Sequence, residues 1–287
     1  MHLTGSGVWS AALRYGDSGA AAEAATELEQ LGYAALWIPD IGGDVFASVA
    51  NLLAATSTVT IATGILNLWM HSAEETAARH AELSDTHGRR FLAGIGVSHH
   101  TIVDRKDPGR YGRPLAHMVE FLDGLDDADV PLPVDERVLA ALGPKMLDLA
   151  HLRAAGVHPY LVTTEHTHTA REALGPEPMV LPEQAVALTT DRTVARDLGR
   201  QHLAAYIGLP NYENNWRRLG FTDDDLGHGG SDRLVDALVA WGDDAAIASR
   251  VQEHRDAGAD HVCVQVLTAD RVELPLDAWR HLAPALT

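Results

Sequence analysis

The sequence predicts a (β/α)8 barrel, and three observations carry that prediction. The chain has 287 residues, a length that one such barrel uses. Eight apolar segments of strand length are spaced along it, and helical periodicity fills the gaps between most neighbours. The segments are continuously apolar instead of alternating, as parallel strands covered on both faces are. An open, doubly wound sheet has the same alternation and stays as the competing topology.

In chain order, residues 7–10 (GVWS) give the first strand. Ala21, Ala24, Ala25, Leu28 and Leu31 then recur at helical spacing, with Ser18 as the expected cap and Gly32 as the left-handed stop. The second strand is 33–39 (YAALWIP) and the third is 59–66. Gly88 closes the next helix before the fourth strand, 91–97 (FLAGIGV). The fifth, 137–141, passes into Gly143-Pro144 and a helix through Leu147, Ala150 and Leu152. Ala155-Gly156 leads to a sixth strand at 159–162, and the seventh is 180–189. Ala257-Gly258 repeats the helix-to-strand passage before the eighth, 261–267 (HVCVQVL). Between the last two lies an insertion, about 202–241, with short helical patterns around Asn214 and Leu234. No linker or composition break interrupts the chain, so 1–287 reads as one domain.

Composition narrows the function. Apolar residues at 46% and charged residues at 22% are those of a folded globular protein. No stretch approaches the roughly 18 apolar residues of a membrane span, and the first residues lack a signal pattern, so a cytoplasmic protein without membrane contact is expected. A formal charge of −18 argues against a nucleic-acid footprint. Cys263, alone in an apolar run, reads as an inert core thiol. The only lysines, Lys106 and Lys145, both follow predicted strands, on the face where barrels of this kind keep their chemistry.

The polar residues at strand ends are Ser10, Asp40, Asn67, Ser98, His99, His100, Gly143, Thr163 and Thr164. Gly143-Pro144-Lys145 opens a helix directly after a strand. Free amides there attract phosphate, proline fits the first turn, and Lys145 adds a cation. A well-made helix start without ligand has the same sequence. Arg105, Lys106, Arg110 and Arg113 crowd one loop of an acidic chain, which suits an anionic ligand, although Asp104 and Asp107 are interleaved. Sixteen histidines invite a metal-dependent hydrolase. The first strand ends without a His-x-His pair, however, and nothing completes the set around His166-x-His168, so no metal ligands are assigned.

The stretch Leu83-Ser84-Asp85-Thr86-His87-Gly88-Arg89-Arg90-Phe91-Leu92-Ala93-Gly94-Ile95-Gly96 resembles a segment of the luciferase-like flavin and deazaflavin oxidoreductases. There a helix ending in Leu-Ser passes a Gly-Arg turn into a strand ending in Gly-x-Gly. The third strand, Ile61-Ala62-Thr63-Gly64-Ile65-Leu66, and the passage into Gly143-Pro144 extend the resemblance. It is nearest to the branch that uses the deazaflavin coenzyme F420, and it implies a luciferase-like barrel enzyme moving a hydride to or from an unidentified small organic substrate. It places Asp40, Gly64, Ile65 and Ser98 beside the coenzyme ring, with a cis peptide at Gly64-Ile65. The coenzyme phosphate then belongs at Leu142, Gly143, Pro144 and Lys145. Ile41 departs from the pattern, because relatives often carry a His there. His99, aligned with a glutamate that acts in sugar-phosphate-oxidising relatives, becomes the catalytic candidate. An FMN-dependent monooxygenase and a barrel that binds coenzyme without turnover are the alternatives. The segment 211–216 either overhangs the substrate pocket or forms a homodimer contact.

Overall fold

The computed structural model describes residues 1–270 and 273–287. Its strands are β1 (Gly5–Trp9), β2 (Ala35–Ile38), β3 (Thr60–Thr63), β4 (Leu66–Asn67), β5 (Phe91–Gly96), β6 (Arg137–Leu139), β7 (Gly156–Val157), β8 (Met179–Val180), β9 (Glu183–Leu188), β10 (Val239–Gly242) and β11 (His261–Val266). Every ladder is parallel, in the order β10-β9-β11-β1-β2-β3-β5-β6-β7-β8, with β4 beside β5. The order closes on itself at β8 and β9, which are halves of one extended stretch, and β10 is joined to it through β9. Leu181 N donates to Val157 O on one side (2.9 Å), and Pro182 O accepts from Cys263 N on the other (3.0 Å). The ring is therefore a closed barrel, as the repeated βα units require.

Several local expectations are corrected. The sixth strand lies at Gly156–Val157, not at 159–162, since Pro159 offers no amide to the ladder and Leu161 has φ +56. The predicted seventh strand is broken at Pro182 for the same lack of a donor. The segment 202–241 does hold helices Pro210–Arg218 and Asp232–Leu238, but its end is strand β10, which pairs in register with β9 (Val239↔Ala185). That strand follows its helix with no turn residue between them, so no sequence signal separates the two. The helix Ser18–Gln30 is capped by Asp17, whose Oδ1 accepts from Ala20 N at 2.9 Å, and not by Ser18. Gly32 does take a left-handed conformation, φ +92.

Two apolar layers hold the barrel. The outer one packs helices on strands, and Leu28, Leu36, Leu52, Ile61, Phe91 and Leu122 are fully buried in it. The inner one fills the barrel around Trp37, which stacks on His158 (centroids 4.1 Å apart) and donates Nε1–H to His261 Nε2 (3.2 Å). Cys263 is buried in this layer. Among the described residues no helix is long and apolar enough to cross a membrane.

Candidate functional site

A cavity of about 1260 Å³ opens at the carboxyl ends of the strands. Asp40, Gly64, Ile65, Ser98, His99, Leu142, Gly143, Pro144 and Lys145 all line it, as does Ser10. Asn67, His100, Thr163 and Thr164 do not.

One end of the cavity is built from backbone and a buried carboxylate. The Gly64-Ile65 peptide is cis, where the resemblance put it. Trp9 Nε1 donates to Gly64 O at 3.0 Å. A Cβ on Gly64 would come within 2.5 Å of that indole nitrogen and 2.8 Å of His158 Nε2, so no side chain fits there. The Gly-x-Gly of β5 makes the same kind of room: a Cβ on Gly94 would meet Thr63 O at 2.0 Å, and one on Gly96 would meet Ile65 Cγ1 at 2.6 Å. Asp40 is 3% exposed. Its Oδ2 accepts from Asn67 N (3.1 Å) and lies 2.8 Å from His71 Nε2. Asp40 caps no helix, because the following one, Val45–Ala55, is capped by Asp44. His71 was missed in the sequence because it stands 31 positions from its partner, in a turn with no motif. Ile41, at the position of the expected imidazole, points an exposed side chain at the cavity mouth.

The other end is cationic. Gly143 is extended (φ −108, ψ 159) and starts the helix Pro144–Arg153, with proline in the first turn and exposed Lys145 after it. Leu147 and Ala150 of this helix are buried, while Leu152 is exposed. Arg218, from the segment between β9 and β10, reaches the same turn and donates to Leu142 O at 3.3 Å. Its guanidinium is 3.6 Å from where a Cβ on Gly143 would sit. Nothing in the sequence linked Arg218 to Lys145. Among the described side chains of the basic loop only Arg105 lines the cavity; Arg110 pairs with Asp107 (3.6 Å) and Arg113 faces Glu120 (4.0 Å). The side chain of Lys106 lies outside the described residues.

Between these ends runs an aromatic wall. Tyr160 OH donates to Gln265 Oε1 (2.6 Å) and accepts from Tyr206 OH (3.0 Å). Trp9 packs on Tyr160, Tyr206 on Tyr212, and Tyr212 on His99, with centroids 4.9 to 5.4 Å apart. Burial pushes the His99 imidazole down to about 4, against a smaller opposing effect of the Asn211 contact. Asn211 Nδ2 donates to His99 Nδ1 at 3.4 Å, which leaves the ring proton on Nε2. Asn211, Tyr212 and Asn214 line the cavity, so the segment 211–216 walls the pocket within one chain.

The two histidines considered as metal ligands diverge. His166 is buried with Nε2–H donated to Leu142 O (3.1 Å), whereas exposed His168 faces Glu172 (3.3 Å). Among the described residues no group of three or more His, Cys, Asp or Glu side chains is arranged to hold a metal ion.

The model of the luciferase-like monooxygenase family matches residues 1–261. A search of curated proteins found no match. Among solved structures, an F420-dependent secondary alcohol dehydrogenase in complex with an F420–acetone adduct superposes with TM-score 0.77 at 17% identity, covering 99% of each chain. The coenzyme F420-dependent tetrahydromethanopterin reductase of Methanopyrus kandleri gives 0.70 at 15% identity over 100% of each chain. The oxygenating constituent of 3,6-diketocamphane monooxygenase from Pseudomonas putida, in complex with FMN, gives 0.67 at 14% identity, covering 99% of this chain and 97% of that one. At such identities the likeness is one of fold.

Proposed function

Because the chain belongs to the luciferase-like monooxygenase family, we propose that it is an oxidoreductase that uses coenzyme F420 and moves a hydride between that deazaflavin and a small organic substrate. The observation that carries the reading is the union of two unlike ends in one cavity. A flat backbone floor at Gly64 stands beside Asp40 and Ser98, and a cationic turn of Lys145 and Arg218 faces it in a chain of net charge −18. The residues fit the group: the floor has no room for a Cβ, and the helix start offers the donors a phosphate takes. A volume of about 1260 Å³ exceeds that of ordinary single-ligand sites, leaving space for a second molecule.

When bound, the deazaflavin supplies the ring carbon that gives or takes hydride. The protein's part is orientation. Lys145, Arg218 and the turn of Leu142, Gly143 and Pro144 hold the phosphate. Arg105 adds a cation for the acidic tail. The aromatic wall excludes water from the substrate side and offers stacking faces. His99, neutral at pH 7, presents its Nε2–H as a donor to a substrate oxygen, so it polarises that oxygen and does not act as a base.

An FMN-dependent monooxygenase is the second reading, favoured by the same floor and phosphate turn. Arg105 speaks for F420, since a phosphate already met by Lys145 and Arg218 does not need it. The test is turnover. Protein loaded with F420 is offered a panel of alcohols and carbonyl compounds while deazaflavin absorbance is followed. Substrate-dependent change supports the proposal. Oxygen-dependent turnover with reduced FMN, and none with F420, overturns it.

A further inference from the structure

Two cavities meet at one carboxylate–imidazole pair. Asp40 lines the large cavity, whereas His71 does not; it lines a second cavity of about 370 Å³ with Gly42, Gly43, Trp69 and Val103. The imidazole is fixed from the side by Phe46, edge to face at 5.4 Å, and its side chain is 10% exposed. Oδ2 of Asp40 is fully engaged, by His71 Nε2 at 2.8 Å and Asn67 N at 3.1 Å. Oδ1 has only a long contact from Gly42 N, 3.4 Å. The carboxylate is thus held mainly through Oδ2, with Oδ1 on the single longer bond from Gly42 N.

We propose that His71 is the positioning residue of this site: its Nε2–H donates to Oδ2 of Asp40 and fixes that carboxylate in the wall of the large cavity. The function assigned to Asp40 rests on reading that cavity as the coenzyme site; the contact itself does not. Geometry gives the pair a direction. A carboxylate oxygen in this contact accepts, so the ring nitrogen that touches it, Nε2, is the one that carries a proton. A Gln at position 71 keeps a donor for Oδ2, while an Ala leaves a hole beside a cavity large enough to admit free imidazole.

The experiment has a coenzyme-free arm and a turnover arm. In the apo protein, nitrogen-15 NMR of the His71 ring at pH 8 should show the proton on Nε2; a proton on Nδ1 overturns the contact. In the second arm, His71→Ala should slow coenzyme-dependent turnover 10-fold to 100-fold with thermal stability retained. His71→Gln, or His71→Ala with added imidazole, should recover most of the loss. Wild-type rates for His71→Ala, or a loss that neither Gln nor imidazole restores, overturn the positioning role. Should wild type bind neither F420 nor FMN, the functional reading fails alone and the ring tautomer still decides the His71 contact.

Discussion

The turn proposed to hold the coenzyme phosphate gives the most direct quantitative test. Lys145→Ala removes one of two exposed cations that face the start of the helix Pro144–Arg153, and Arg218→Ala removes the other. A bare Coulomb estimate for a cation about 4 Å from a phosphate, at an effective dielectric constant near 20, is roughly 4 kcal/mol. Exposure and hydration reduce this, and charge-assisted hydrogen bonds are worth about 1.5 to 3 kcal/mol net. Each single variant should therefore raise the coenzyme Kd about 10-fold to 100-fold, at about 1.4 kcal/mol per tenfold. Neither should unfold the barrel, because neither side chain is part of the core. Fluorescence titration in 20 mM and 500 mM salt adds a second signature. The gap between wild type and variant should shrink at high salt, where the screening length falls to a few ångströms. Unchanged affinity of both variants at low salt would refute the placement of the anionic group at this turn.

Other expectations follow from the same geometry. His99→Ala should leave coenzyme affinity nearly intact and lower turnover about 10²-fold, with wild-type kcat flat from pH 5.5 to 8, since His99 stays neutral down to about 4; a break near pH 6.5 that vanishes in the variant would restore the base role. Gly96→Ala should push Ile65 into the cavity, because the added Cβ would lie 2.6 Å from Ile65 Cγ1. Stability should fall by about 1 to 3 kcal/mol and coenzyme affinity with it, and Ile65→Ala in the same chain should recover affinity; a crystal structure of the variant with Ile65 unmoved would refute this. Burial pushes Glu183 up to about 8 from 4.5, so its native form binds the extra proton, and the stability it allows is lost as pH rises from 4.5 to 8. Glu183→Gln should accordingly stabilise the protein by about 2 to 4 kcal/mol at pH 8.5 and much less at pH 5.5, read as chemical denaturation midpoints. His158, His166, His254 and His261 are held neutral by burial, with values pushed down to about 3 or 4. The unfolded chain binds protons that these rings refuse, so stability should fall as pH drops below 6.5, by about 1.4 kcal/mol per unit for each ring. A stability plateau from pH 7 to 4.5 would contradict it.

The barrel was legible because its signals are local and repeated. Continuous apolar strands such as 33–39 and 91–97 can only be covered on both sides, and the Gly-x-Gly of β5 marks a strand whose neighbour comes too close for side chains. Legibility failed where pairing is short or one-sided. β10 continues directly from a helix, and β7 is two residues long beside Pro159. The same division runs through the site. Asp40, Ser98 and the turn of Gly143, Pro144 and Lys145 stand at strand ends, where topology alone delivers them to one face. His71 and Arg218 are brought in by tertiary packing, the first to a carboxylate 31 positions away and the second to a carbonyl 76 positions away. The basic loop misled in the opposite sense. Interleaved Asp107 pairs with Arg110, Glu120 of the following helix faces Arg113, and among the described side chains of the loop only Arg105 is left for the cavity.

We propose that the cavity is built for a deazaflavin with an acidic tail. Parallel titration of the apo protein with F420, FMN and FAD, under identical salt and pH, measures that claim without knowledge of the substrate. F420 should bind at least tenfold more tightly than FMN, and Arg105→Ala should narrow that difference while leaving FMN affinity unchanged. Binding of FMN tighter than F420, or a preference indifferent to Arg105, would contradict it.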